Sequence, residues 1–241
     1  MMMHTNWLLL DLQQSGYQSV LELQEQILVD KIARHIENVL ILVEHEPIFT
    51  LGNHSNTANL KVNKRFLEAR NVELLQTNRG GDITYHGPGQ IVAYPILSLQ
   101  ELSLSVPSYV NLLEEVMLQT AGQFNVNAYR SIKGKGVWCQ KKKLGSVGIR
   151  VKRWVSYHGL ALNINMDLTP FSWINPCGLT GTGVTSLAEV SQQEISVPKA
   201  KLALLTAFKN VFQVSLTKIQ QQNHNFSDNP NATRTTKAIL A

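Results

Sequence analysis

The chain has 241 residues, of which 44% are hydrophobic, enough to bury a substantial core and within the range of one large α/β domain. No stretch reaches the roughly 18 apolar residues of a membrane span, and Met1 to Asn6 carry no basic segment leading into an apolar run, so an unprocessed protein that does not enter a membrane is expected. Its two cysteines, Cys139 and Cys177, are too few for a disulfide framework and lack zinc-ligand spacing; this fits a reducing, cytoplasmic compartment without a structural metal.

Val20, Leu23, Ile27, Leu28, Ile32 and Ile36 recur at helical steps, and Ser19 and Glu22 have capping-box spacing, so a helix is expected over 18–36. The branched-aliphatic run 39–43 reads as a buried strand that has ended by Pro47. A short helix over 64–70 and a strand over 72–76 lead to the glycine-rich segment 79–90, and the strand 91–97 leaves it, with Pro95 implying that one side of its far end is unpaired. A second long helix is expected over 106–124. Residues 137–151 read as two strands around a lysine turn, the second carrying Gly145, Ser146 and Gly148, where a ligand or another backbone can come close. An alternating strand over 157–165 and a helix over 199–212 follow. A single domain over 1–219 is expected, with 220–241 a loose polar tail too poor in apolar residues to offset its ordering entropy.

The segment Arg79-Gly80-Gly81-Asp82-Ile83-Thr84-Tyr85-His86-Gly87-Pro88-Gly89-Gln90 cannot be a helix, and its polar side chains are presented by closely turned backbone. Two further stretches stand out: Glu44-His45-Glu46-Pro47-Ile48-Phe49-Thr50-Leu51-Gly52 and Lys143-Leu144-Gly145-Ser146-Val147-Gly148. Of the two thiols, Cys177 lies in the turn-forming Asn175-Pro176-Cys177-Gly178-Leu179, whereas Cys139 sits beside Trp138 in a strand, the context of a buried thiol. If one cysteine reacts, it is Cys177. His45 and His54 are read as ties between loop and backbone.

The glycine-rich segment resembles the signature R-G-G-x-x-T-Y-H-G-P-G-Q of the lipoyl(octanoyl) transferases, and the other two stretches match E-H-x-P-x-[FY]-T-x-G and K-[IL]-x-[SA]-[IV]-G of the same family. The resemblance covers roughly residues 44–190. It implies a fold shared with the biotin and lipoate protein ligases, mixed sheets flanked by helices. It implies octanoyl transfer from octanoyl-acyl carrier protein to a specific lysine of lipoyl domains in 2-oxoacid dehydrogenase complexes and of the glycine cleavage H protein, without cofactor, metal, nucleic acid or membrane. Cys177 and Lys143 become the catalytic pair it implies; Arg79, Gly80, Gly81, Asp82, Ile83, Thr84, Tyr85, His86, Ser146, Val147, Gly148, Gly159, Leu160 and Ala161 become substrate-binding residues.

Such a pair suits acyl transfer from a thioester to an amine. An unperturbed thiol has a pKa of about 8.5, so a neighbouring cation raises its thiolate fraction and then moves the protons. N–H groups near Gly80, Gly81 and Gly148 are reasonable oxyanion donors. His86 either serves the cleft or ties the turn.

Two other functions compete. An ATP-dependent lipoate ligase has a comparable segment, S-G-G-G-x-V-Y-H-D-x-G-N, but lacks the cysteine in N-P-C-G. A nucleic-acid-binding module rests only on the cations Lys133, Lys135, Lys141, Lys142, Lys143, Arg150, Lys152 and Arg153, which have few interleaved aromatics. That basic cluster is otherwise a solvated face or a surface for an acidic partner protein.

Overall fold

The long apolar runs become the middle of an eight-stranded sheet that is covered on both faces. A computed structural model describes residues 5–132, 134–175 and 183–219; the expected tail, Lys133 and Cys177 lie outside the described residues. In chain order the elements are β1 (Thr5–Ser15), α1 (Tyr17–Ile32), β2 (Val39–His45), β3 (Ile48–Leu51), α2 (Lys64–Glu68), β4 (Glu73–Gln76), β5 (Ile83–His86) and β6 (Gln90–Ile96). They continue with α3 (Val106–Gly122), β7 (Tyr129–Arg130), β8 (Gly136–Cys139), β9 (Lys142–Lys152), β10 (Val155–Asn163), α4 (Leu187–Ser191), α5 (Val197–Phe212) and β11 (Val214–Ile219).

The large sheet runs β11-β1-β2-β6-β10-β9-β8-β7, parallel across β11-β1-β2 and antiparallel from there on. A small sheet, β4-β3-β5, stands beside it. The fold is therefore mixed α/β, as expected. Because side chains alternate across a strand, Leu40 and Leu42 join Ile91 and Ala93 in the core under α3 and α5, while Val39, Ile41 and Val43 join Val92, Tyr94 and Ile96 under α1. Burial on both faces is why these strands read as unbroken apolar runs.

The same geometry hid β1, whose Trp7 and Leu9 face one core and Leu8 and Leu10 the other, so no alternation marks it. The strands β3, β5 and β11 were also not anticipated. Helix α1 stops at Ile32, four residues short of expectation, with Arg34 left-handed at φ 58°; Ile36 keeps the apolar period because it packs into the same core from a non-helical segment. Nor is there a capping box: Gly16 is the N-cap, and the Ser19 hydroxyl, inside the helix, donates to the Gly16 carbonyl.

Pro95 behaves as read, since pairing of β6 with β10 ends at Ala93 while its pairing with β2 continues. Both hairpin turns flanking β9, Gln140-Lys141 and Arg153-Trp154, hold two left-handed residues, the form that matches strand twist.

Two glycines with opposite surroundings test the packing. A β carbon on Gly159 would stand 2.0 Å from the Ala93 carbonyl oxygen, whereas one on Gly122 meets nothing within 4 Å. Gly159→Ala should lower stability by about 1–3 kcal/mol or more and Gly122→Ala should raise it by about 0.4–1 kcal/mol, read from urea unfolding midpoints.

Candidate active site

The glycine-rich segment is held by its own arginine. Arg79 is buried, and its guanidinium donates to Thr50 Oγ1 at 2.9 and 3.0 Å, to the Thr50 and Asp82 carbonyls at 2.6 Å each and to the Gly80 carbonyl at 3.1 Å. Hydrogen bonds of this number are what make a buried cation tolerable. They draw β3, the turn and β5 together so closely that a β carbon on Gly52 would stand 2.3 Å from the Gly81 carbonyl oxygen. Asp82, on the outer side, accepts from the Asn56 N–H and the Asn59 side-chain amide.

The turn then lies against β9. The Gly80 N–H donates to the Ile149 carbonyl at 3.0 Å, and a β carbon on either Gly80 or Gly148 would meet the other segment's carbonyl oxygen at 3.0 Å. The small residues of β9 thus admit another backbone at Gly148, and at Gly145 the sulfur of Met117 and the Ala161 carbonyl. One expectation is corrected here: the Gly80 N–H is committed to Ile149 and is not an oxyanion donor in this conformation.

Between the turn, β9 and β10 is a pocket of 320 Å³. Arg79, Gly80, Gly81, Asp82, Ile83, Thr84, His86, Lys143, Ser146, Val147, Gly148, Gly159, Leu160 and Ala161 line it, together with Val92, Val110, Ile149 and Phe171. Tyr85 does not: alternation on β5 turns it away, onto Phe49 and Phe171 with ring centroids 5.1 and 5.8 Å apart. Lys143 Nζ lies 5.5 Å from the centre of the Trp138 ring, and its main chain is bracketed by the Gly183 carbonyl and the Thr185 N–H. The distance from Lys143 to Cys177 falls outside the described residues, but Phe171 and Val184, on either side of that segment in the chain, both line the pocket. Cys139 is buried on β8, where burial pushes its thiol pKa up.

Polar residues not singled out from the sequence complete the wall: Tyr17, Gln90, Tyr94, His158 and Asn163. Gln90 Nε2 donates to Asn163 Oδ1 at 2.8 Å, so its Oε1 faces His86 and accepts the Nδ1–H at 2.7 Å. Asn163 donates onward to the Thr185 carbonyl, and the Thr185 N–H donates to the Lys143 carbonyl. His86 therefore ties the turn to the strand that carries Lys143, and the network assigns its unprotonated nitrogen as Nε2. His45 donates from Nδ1 to the Ser15 carbonyl and accepts at Nε2 from the Tyr94 hydroxyl at 2.8 Å, the tie read from the sequence, whereas His54 is exposed and it is its main-chain N–H that donates to the Gly81 carbonyl at 3.1 Å. His158 is held in a left-handed conformation at φ 54°, its N–H on Gln24 and its ring on Asn78. Its placement on β10 next to Gly159 gave no signal, because in sequence it is one polar residue in an alternating strand.

Burial lowers the pKa of all three imidazoles, to about 4 for His45, where the Ser15 carbonyl opposes it, and to about 3 for His86 and His158, where the Arg79 charge lowers it further. All three are neutral at pH 7.

The cations are also rearranged relative to expectation. Lys143 and Lys152 are nine steps apart along β9, about 30 Å of strand, so Lys152 and Arg153 stand at the other end of the strand from Lys143. Lys142 pairs with Glu189 and Arg150 donates to the Asn78 carbonyl. The basic run is not one face.

Residues 16–209 match the family model described as the lipoyl protein ligase A/B catalytic domain. A relative named octanoyltransferase from Desulfotalea psychrophila is 39% identical over 85% of this chain and 93% of its own length. Another of that name, from Caldicellulosiruptor bescii, is 41% identical over 83% and 89%. The chain belongs to the octanoyltransferase family. At 15% identity, a crystal structure of lipoate-protein ligase A bound with ATP aligns with a TM-score of 0.72 over 92% of this chain and 90% of that one. The archaeal bi-partite lipoate protein ligase from Thermoplasma acidophilum aligns at 14% identity and TM-score 0.71 over 92% and 88%. These similarities show that the octanoyltransferase shares the ligase fold.

In this octanoyltransferase the neutral imidazoles couple stability to pH. Folded pKa values near 3–4 lie below the unfolded value of about 6.5, so the unfolded chain binds more protons as pH falls. Their contribution is complete above about pH 6.5 and declines between there and the folded values, by up to about 1.4 kcal/mol per histidine per pH unit. The urea midpoint should therefore drop between pH 7.5 and 5.5, and His86→Gln should make that drop smaller.

Proposed function

We propose that this octanoyltransferase takes the octanoyl group from octanoyl-acyl carrier protein and delivers it to a lysine of lipoyl domains of the 2-oxoacid dehydrogenase complexes and of the glycine cleavage H protein, through a thioester on Cys177. The observation that carries this reading is the pocket, whose valine, isoleucine, leucine and phenylalanine walls suit a medium acyl chain and whose lining includes Lys143.

In the first half-reaction the Cys177 thiolate attacks the thioester carbonyl, a new carbon–sulfur bond forms, and the carrier's sulfur leaves with a proton from Lys143. In the second, the acceptor lysine's amine attacks the acyl-Cys177 carbonyl and an amide forms. Cys177 leaves as thiolate, and the proton of the incoming amine passes to Lys143. No nucleotide is consumed, because the donor thioester is already activated. The hydrogen-bonded path from His86 through Gln90, Asn163 and Thr185 holds Lys143 against the pocket during both steps.

Transfer to an isolated lipoyl domain, measured without ATP, tests the roles. Cys177→Ser and Lys143→Met should each reduce it by about three orders of magnitude, while Cys139→Ser, altering a buried thiol away from the pocket lining, should keep most of it. Equal losses in folded Cys177→Ser and Cys139→Ser proteins would contradict the assignment.

A further inference from the structure

Glu44 opens the stretch Glu44-His45-Glu46-Pro47, yet it is not among the residues that line the pocket. It stands where four segments meet at the Gly89 end of the glycine-rich segment. Its Oε2 accepts the Gly89 N–H at 3.1 Å. Its Oε1 lies 3.9 Å from the ammonium of Lys201, a buried residue of α5 that donates to Asp11 Oδ1 at 2.9 Å. Asp11 comes from β1 at a bulge, where the pairing with β2 steps from Asp11 and Leu42 to Gln14 and Glu44 and Gln13 is left-handed at φ 56°. Bulges beside active sites re-aim side chains, and at this one two carboxylates share a single buried ammonium.

Gly89 is gripped from both sides of its peptide. It is left-handed at φ 83°, its carbonyl accepts the N–H groups of Ile164 and Asn165 at 3.0 and 3.1 Å, and a β carbon there would stand 2.6 Å from Asn165 Oδ1. The next residue, Gln90, pairs with Asn163 across β6 and β10, and its side chain joins His86 to Asn163 in the path that continues through Thr185 to the Lys143 carbonyl. By strand alternation Glu44 shares the face of Leu40 and Leu42, under α5, whereas Gln90 shares the face of Val92 and Tyr94, under α1. Glu44 therefore reaches the hydrogen-bonded frame of the pocket from the other side of the sheet, through main chain alone.

A hydrogen bond from an N–H to a carboxylate is about twice as strong as one between neutral groups, and Lys201 with Asp11 fixes the direction in which this carboxylate points. We propose that Glu44 is a positioning residue of the transfer reaction: by holding Gly89 it sets Gln90, and Gln90, through Asn163 and Thr185, sets the main chain of Lys143. The inference rests on the proposed function, since the proton transfers of Lys143 are what this position serves.

Steady-state transfer from octanoyl-acyl carrier protein to a lipoyl domain, with urea midpoints measured in parallel, tests it in wild type, Glu44→Gln, Glu44→Leu and Lys201→Met. Glu44→Leu removes the acceptor of the Gly89 N–H and should lower kcat about tenfold or more, the equivalent of one charge-assisted hydrogen bond, with the KM for octanoyl-acyl carrier protein unchanged. Glu44→Gln, whose side-chain carbonyl accepts the same N–H, should restore most of kcat. Lys201→Met leaves the bond to Gly89 in place and should lower the urea midpoint while keeping most of kcat. If Glu44→Leu does not fold, Glu44→Asp takes its place with the same expectation, because it keeps the charge but withdraws it from Gly89 by one methylene. An unchanged kcat in Glu44→Leu overturns the proposal, as does a raised KM with kcat intact, which would assign Glu44 to carrier binding. Losses of kcat that follow the urea midpoints alike in Glu44→Leu and Lys201→Met also overturn it. These outcomes leave the reaction standing; a wild type that transfers no octanoyl refutes the reaction itself, and the positioning role with it.

Discussion

The buried guanidinium of Arg79 is the constraint on which the pocket depends. Its hydrogen bonds to Thr50 and to the carbonyls of Gly80 and Asp82 fix the turn after residue 79 against β3, and that position leaves no room for a side chain at Gly52 and makes one at Gly80 or Gly148 a tight contact with an opposing carbonyl oxygen. The pocket wall is therefore made by two backbones in contact. The glycines of the signature are explained by this contact as much as by any ligand: at Gly80 and Gly148 the missing β carbons admit the opposing carbonyl oxygens.

The same charge shapes the chemistry at the inner wall. Burial chiefly depresses the imidazoles of His86 and His158; His45 and then Arg79 add to the effect at His86, and Arg79 and Arg150 at His158. A neutral imidazole tied through Nδ1–H positions its neighbours well but carries no charge to lend a thiol. Proton movement in the proposed reaction then falls to Lys143 at the lysine-bearing end of β9, and the histidines serve as fixed points of a hydrogen-bonded frame.

Legibility in the sequence followed physical lines. Elements with one clear period, such as α3 and α5, were readable to within two residues at each end. The doubly covered strands β2 and β6 were readable because their runs are short and bounded by turn residues, whereas β1, equally buried on both faces, has no such boundary on its N-terminal side. The lining residues of the glycine-rich turn, β9 and Gly159 to Ala161 were legible through the family stretches, apart from Tyr85, whose outward turn depends on the register of β5 with β3, while Tyr17, Tyr94, His158 and Asn163 come from elements whose place at the wall only the fold shows. Gln90 stood inside the signature, but its bond to Asn163 joins residues 73 apart. The cation cluster misled because proximity in sequence along a strand is distance in space.

The most direct measurement is the intact mass of the protein after incubation with octanoyl-acyl carrier protein in the absence of any nucleotide, followed by peptide mapping at acidic pH, where a thioester survives. The account predicts one octanoyl adduct per chain, on the peptide containing Cys177 and discharged on adding a lipoyl domain. An unmodified chain that nevertheless transfers octanoyl, or an adduct carried by Cys139, would contradict it.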